Sequence, residues 1–137
     1  MKILVATDGS EHSRKAVARA LELAEKQGAQ VTLMSVAYYD RRNFDEMPPF
    51  VSDKLEAEAR DALNKAKAEF DAKGIQVETV LATGLVPANL IIRKAQDDKF
   101  DRIIMGATGM NALERVMMGS TAAKVVAHAP CEVTIAR

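Results

Sequence analysis

The sequence predicts an α/β fold of the doubly wound type, a five-stranded parallel sheet sandwiched between helices in three layers. Three observations carry that expectation. Short β-branched runs alternate with longer stretches of helical periodicity along the 137 residues, the pattern of parallel strands joined by right-handed crossovers. Glycine or proline stands at most of the joints, where such residues end helices or turn the chain. A chain of this length buries roughly two thirds of the surface it exposes when unfolded, enough for a core without staples. One domain spanning residues 1–137 is therefore expected.

The elements follow in order. Lys2 to Ala6 is apolar from Ile3 onward and reads as a buried strand. From Ser10 to Gln27, Val17, Leu21 and Ala24 fall on one helical stripe, and Gly28 stops the helix. Val31 to Val36 is the second strand. Tyr38 to Phe50, with Pro48-Pro49 and mixed charges, follows neither period and is expected as a mobile loop beside the sheet's carboxyl edge. Ser52 to Lys73 sets Leu55, Ala59, Ala62, Ala66 and Phe70 on one face and ends at Gly74. Ile75 to Leu81 alternates apolar and polar residues, as a half-exposed or edge strand does. Pro87, favoured at the first helical position, opens a helix that turns Leu90 and Ile91 inward and fades at Asp97-Asp98-Lys99. Arg102 to Met105 is the fourth strand. A short helix from Ser120 to His128, stopped by Pro130, leads to the last strand, Val133 to Ala136.

Composition removes several functions. Nineteen basic and nineteen acidic residues cancel, so the basic footprint of a nucleic-acid or anionic-membrane binder is missing. The run Ile3 to Ala6 is too short for a signal peptide or a membrane span, and no apolar stretch approaches twenty residues. A single cysteine, Cys131, excludes an internal disulfide and a multi-cysteine metal site. The expected setting is soluble and cytoplasmic. No P-loop pattern ending in Gly-Lys-Ser/Thr occurs, nor Gly-x-Gly-x-x-Gly after a strand. His12 and His128 lack a metal-ligating partner at i+4 and read as exposed or capping residues. Cys131, opening an apolar strand, reads as a packing thiol. No nucleophile stands beside a general base, so no catalytic residue is assigned.

Chemistry concentrates in one stretch. Three of the seven glycines, Gly106, Gly109 and Gly119, follow the fourth strand, and Gly119-Ser120-Thr121 opens a helix. Glycine at a strand end lets a ligand approach the backbone closely. A helix start offers unpaired N–H groups and a positive dipole end, with the Ser120 and Thr121 hydroxyls beside them. These are the parts of a phosphate cradle on the edge where doubly wound sheets bind ligands. A simple turn at Gly106 and Gly109 with Ser120 as a helix cap is the plainer alternative.

The full spacing, Gly-x-x-Gly, nine residues, then Gly-Ser, resembles the nucleotide-binding signature of the ATP-binding branch of the universal stress protein family. Val5-Ala6-Thr7-Asp8-Gly9-Ser10 resembles that family's first strand and turn, and His128-Ala129-Pro130-Cys131 its ending. The resemblance covers the whole chain and implies a Rossmann-like, adenine nucleotide alpha hydrolase-like fold that binds ATP, with Mg2+. It implies Ala6, Thr7 and Asp8 beside the nucleoside, Val36 against the adenine and Met105 lining the base pocket. Gly106, Gly109, Gly119, Ser120 and Thr121 would hold ribose and phosphates. It further implies a homodimer joined through the last strand and a nucleotide-responsive regulatory or stress-tolerance role with an unidentified protein partner. A dimeric interaction module that binds no nucleotide, or a slow ATPase, stands as the alternative.

Each residue also has a structural reading. Asp8 suits a ribose contact or a divalent cation beside phosphates, and equally a helix cap in Asp8-Gly9-Ser10-Glu11. Val36 suits an adenine wall or plain core. Arg115 reads as a solvated surface residue that lies within reach of a phosphate, and Met110, Met117 and Met118 as core filler or a flexible lid. Two departures from the family pattern are Glu132, where relatives commonly carry proline, and Ala107-Thr108, where many carry a polar or basic pair.

Overall fold

A computed structural model describes residues 1–39, 49–109 and 118–137. Five strands, β1 (Lys2–Ala6), β2 (Gln30–Ala37), β3 (Glu78–Thr83), β4 (Arg102–Gly106) and β5 (Glu132–Ala136), alternate with α1 (Glu11–Gln27), α2 (Pro49–Asp71), α3 (Pro87–Asp97) and α4 (Ser120–His128). The strands form one sheet in the order β3-β2-β1-β4-β5, and every pairing is parallel. The chain steps outward from β1 through β2 to β3, then crosses back to place β4 on the other side of β1. The strand order thus reverses between β1 and β4.

Alternation along the strands builds two cores. Ile3 and Val5 of β1 face a cluster with Val17, Ala20 and Leu23 of α1 and Leu63, Ala66 and Phe70 of α2. Leu4 faces the other side, against Ile91 and Ala95 of α3 and Ala122 and Val125 of α4. Helices therefore cover both faces, and the three-layer arrangement expected from the sequence is the one observed. In α1 the buried stripe is Ser13, Ala16, Val17, Ala20, Leu23 and Ala24, a 3-4-3 spacing on one helical face. Its alanines let the helix lie close to the sheet. Ser10 caps the start by accepting a bond from the Ser13 amide, and Gly28, at φ 66°, closes the end.

Two element starts differ from the sequence reading by three residues, each for a local reason. The third strand runs from Glu78 to Thr83 rather than from Ile75 to Leu81. The Ile75 amide bonds the Phe70 carbonyl at 3.0 Å and the Gly74 amide bonds that of Asp71 at 3.0 Å. That is the Schellman closure of α2, with Gly74 left-handed at φ 69°. Ile75 and Val77 still pack on the core, so the apolar pattern there marks burial and not a sheet ladder. α2 starts at Pro49, three residues before the expected Ser52, since proline is tolerated in a helix's first turn. Leu21, Leu55 and Leu90 are only half-buried. Of the loop expected over Tyr38 to Phe50, residues 40–48 lie outside the described residues.

Glu132 stands opposite Arg102 in the β4–β5 register, and their side chains pair at 3.1 Å. The Glu132 side chain is mostly exposed, so the pair contributes at most about 1 kcal/mol. The departure from proline is a small local adjustment.

Phe70 is fully buried between α2 and the sheet. Phe70→Ala is expected to lower unfolding stability by about 3–5 kcal/mol, read as a shift in the urea midpoint with an unchanged slope.

Candidate functional site

Where β1 and β4 end, their chains part. β1 feeds α1 on one face and β4 leads to α4 on the other, leaving a crevice at the point of strand-order reversal, the expected ligand position in such sheets. The crevice is a cleft of about 800 Å³, within the size range of small-molecule sites. All ten residues singled out from the sequence line it: Ala6, Thr7 and Asp8 after β1, Val36 on β2, Met105, Gly106 and Gly109 at the end of β4, and Gly119, Ser120 and Thr121 at the start of α4.

The first wall is held by a short hydrogen-bond chain. The Thr7 amide donates to the Met34 carbonyl at 2.9 Å, extending the sheet by one residue. The buried Thr7 and Ser13 hydroxyls lie 3.2 Å apart, and the Ser13 hydroxyl donates to the Ser10 carbonyl at 3.0 Å. Asp8 accepts a bond from the Ser10 amide at 2.9 Å, a local Asx turn. The helix cap is Ser10 and not Asp8, which leaves the Asp8 carboxylate at the exposed edge of the cleft. The Thr7 hydroxyl is engaged inside the fold.

The second wall depends on Gly106. A Cβ placed there would lie 2.7 Å from the His12 carbonyl carbon and 2.8 Å from the Ser13 amide nitrogen. The bare Cα therefore admits the first turn of α1 against the end of β4. One residue on, the buried Ala107 donates to the Ala136 carbonyl at 2.8 Å, and the Thr108 hydroxyl lies 2.7 Å from His12 Nδ1. His12 is thus no exposed or capping residue but a tie between α1 and the glycine turn. The Gly119 amide donates to the Ala107 carbonyl at 2.6 Å, which sets the start of α4 beside the end of β4. Met110, Arg115 and Met117 lie outside the described residues, while Met118 is exposed beside Gly119.

The α4 terminus also differs from the sequence reading. Gly119, in extended conformation, is the N-cap, and Ser120 is the first helical residue, with no side-chain capping bond. The opening N–H groups of α4 therefore face the cleft without a side chain bonded across them, beside Ser120 and Thr121.

Residues not anticipated from sequence complete the lining, among them Tyr38, Glu58, Val86, Ile91 and Lys124. Lys124 was accessible to reasoning, since it stands one helical turn after Ser120. Glu58 was not, because nothing in α2's own pattern ties that position to a cleft. Asp8, Glu58 and Lys124 are the charged side chains of the lining among the described residues. Among the described residues no cluster of three or more His, Cys, Asp or Glu could hold a metal ion. Cys131 lies away from the cleft. Burial, aided by the nearby Asp101 and Glu132 carboxylates, pushes its thiol pKa up, which suits a packing thiol. No helix among the described residues is long and apolar enough to cross a membrane.

A doubly wound sheet with a glycine turn and a bare helix start at its switch point is the architecture of α/β proteins that take ligands at the carboxyl edge of the sheet. The chain belongs to the universal stress protein family, whose pattern matches residues 1–137. It is 35% identical over 141 residues to Universal stress protein MJ0531 of Methanocaldococcus jannaschii, covering 99% of this chain and 81% of that one. The solved universal stress protein UspA from Lactobacillus plantarum superposes with a TM-score of 0.83 at 32% identity, covering 100% of this chain and 97% of that one. The fold is shared with a universal stress protein from Archaeoglobus fulgidus solved in complex with dAMP (22% identity, 100% and 98% coverage, TM-score 0.75). It is shared too with a family protein from Arabidopsis thaliana solved with AMP bound (20% identity, 99% and 90% coverage, TM-score 0.70).

The role assigned to Gly106 has a direct test. Gly106→Ala sets a methyl against backbone that no rotamer change relieves, and is expected to cost about 1–3 kcal/mol of stability, measured by chemical denaturation. An unchanged midpoint would contradict the close approach of α1.

Proposed function

We propose that the cleft binds an adenine nucleotide, ATP with Mg2+ in its full form, and that the protein acts as a nucleotide-responsive regulator in stress tolerance. One observation carries the reading: three stretches remote in sequence, Ala6–Asp8, Met105–Gly109 and Gly119–Thr121, converge on one cleft at the switch point of the sheet. The α4 N–H groups, with Ser120 and Thr121, suit a phosphate. Val36 and Met105 offer apolar surface for a base, and Ile91 extends it. Two proteins of the same fold are solved with AMP or dAMP bound, which supports an adenine nucleotide in particular.

Asp8 alone makes a poor cation site, so magnesium would arrive on the phosphates, with Asp8 as one oxygen ligand. Asp8 also stands near enough to Gly109 to guard the turn, its Oδ2 lying 2.8 Å from where a Gly109 Cβ would sit. The lone unpaired cysteine suits a reducing compartment, and we assign the protein to the cytoplasm.

The decisive experiment identifies any nucleotide released on denaturing the purified protein and titrates ATP and magnesium by calorimetry. Binding is expected, and Gly119→Val is expected to weaken it at least about tenfold with the fold intact. A Cβ at Gly119 would stand 3.4 Å from the Ala107 carbonyl oxygen, and a branched side chain would crowd the turn. No released nucleotide and no binding heat would leave a partner-binding module of the same fold.

We further propose a homodimer paired through β5. That strand is a sheet edge, and Val133 and Ile135 are only half-buried against the α3–α4 layer. An edge of unpaired backbone groups is a template for another chain. Sedimentation is expected to give a dimer, reduced to monomer by Val133→Pro: Ala136 turns its carbonyl inward to Ala107, so alternation leaves the Val133 amide on the outer edge, where proline removes a donor. A wild-type monomer at high concentration would overturn this part.

A further inference from the structure

The fold brings a hydroxyl and an imidazole together at the lining of the cleft. The Thr108 hydroxyl lies 2.7 Å from His12 Nδ1, and Thr108 itself is half-buried on the cleft wall. His12, in the first turn of α1, does not line the cleft. The ring therefore stands behind the hydroxyl as met from the ligand space. With the ring proton on Nε2, Nδ1 accepts the Thr108 proton and the Thr108 oxygen keeps lone pairs for the cleft. A hydroxyl nucleophile is activated by such a neighbour, a base within about 2.6–3.2 Å that takes its proton during attack. Neither residue pointed to the other in the sequence, where 96 positions separate them.

Acyl transfer also needs donors for the oxygen of the tetrahedral intermediate. The start of α4 supplies them. A Cβ at Gly119 would lie 3.6 Å from the Thr108 Cα, so the helix opens directly beside the hydroxyl. The Gly119 amide is engaged with the Ala107 carbonyl. The next two amides, of Ser120 and Thr121, begin the helix with no side-chain cap across them. Val36, Ile91 and Met105 give the same cleft an apolar wall, suited to a short acyl chain. Nucleophile, base, oxyanion donors and an acyl pocket are the parts an acyl-transfer site requires.

We propose that Thr108 is an acyl-accepting nucleophile with His12 as its general base, giving the cleft an esterase activity toward small esters of short-chain acids. Thr108 Oγ attacks the ester carbonyl carbon as its proton passes to His12 Nδ1, and the carbonyl oxygen takes up negative charge at the Ser120 and Thr121 amides. Collapse breaks the bond to the alcohol oxygen, which leaves with the proton from His12. Water then attacks the acyl-Thr108 ester by the same route, releasing the acid and restoring the hydroxyl. The proposal goes beyond the adenine-nucleotide reading and does not depend on it.

The test follows p-nitrophenol release from p-nitrophenyl butyrate by wild type, Thr108→Val, Thr108→Ser and His12→Gln. The quenched protein is weighed by mass spectrometry and its acylated peptide sequenced. Wild type is expected to show a burst of about one equivalent and a butyryl group on Thr108. Thr108→Val should lower the rate at least about tenfold and lose the label, while Thr108→Ser should retain both. His12→Gln keeps a hydrogen-bonding side chain beside Thr108 but cannot take the proton, so the rate should fall at least about tenfold with the urea midpoint unchanged. If that midpoint does fall, the two Thr108 variants decide between a reactive hydroxyl and a structural tie. A butyryl group found on other residues only, a wild-type rate in Thr108→Val, or a wild-type rate in His12→Gln would overturn the proposal.

Discussion

The arrangement turns on a missing methyl. At Gly106 the end of β4 and the first turn of α1 approach so closely that a Cβ would meet the backbone of His12 and Ser13. Interiors pack near crystal density, so a contact of this kind is filled by backbone or not made at all. Once α1 is seated there, its neighbours have little freedom. Ser13 reaches Thr7, His12 reaches Thr108, and Ser10 closes the turn from β1. The two chains that leave β1 and β4 are thereby tied to each other at their bases and sent to opposite faces of the sheet. The cleft is the space left between them, lined by Gly106, Gly109 and Gly119 on one side and by apolar side chains such as Val36, Ile91 and Met105 on the other.

Charge has a smaller part in that site than peptide dipoles. With Asp8 and Glu58 set against Lys124, the described lining has no excess of positive side chains, and the chain as a whole is neutral. A long-range field is therefore not available to draw in an anion. What remains is local: the first N–H groups of α4, left without a side-chain cap because Gly119 occupies the cap position. A serine or aspartate at that position would accept one of those N–H bonds itself. Glycine as the cap and serine one step later keep both the amides and the hydroxyl available to a ligand.

The number and parallel direction of the strands were legible from sequence because buried parallel strands are short apolar runs and the helices between them carry a clear 3.6 period. The ten residues singled out, several of them from the family resemblance alone, line one cleft, as strand ends at a switch point share a location whatever their sequence separation. What escaped was of a different kind. Ile75 and Val77 look like strand residues, yet the Ile75 amide is committed to closing α2, and hydrophobicity reports burial without naming the backbone partner. His12 and Thr108 are separated by 96 positions, and no periodic signal links a helix's first turn to a loop after the fourth strand. Ser120 and Gly119 exchanged roles because either residue type can cap a helix, and only the backbone angles decide between them.

The two edges of the sheet show how the same logic extends to the rest of the surface. β3 begins exposed and becomes half-covered along its length, with α2 packed over its inner side. β5 is flanked by apolar residues at Val133 and Ile135 that its own helical layer covers only in part. The start of β5 carries Glu132, which leans back on Arg102 within the chain. Charge on an edge strand discourages indiscriminate pairing, but here it sits at one end and is already engaged by the neighbouring strand. Beyond it, the backbone at Val133 and Ile135 has no strand on its outer side among the described residues. An edge guarded only at its first residue restricts how a second strand can align and leaves the pairing itself open.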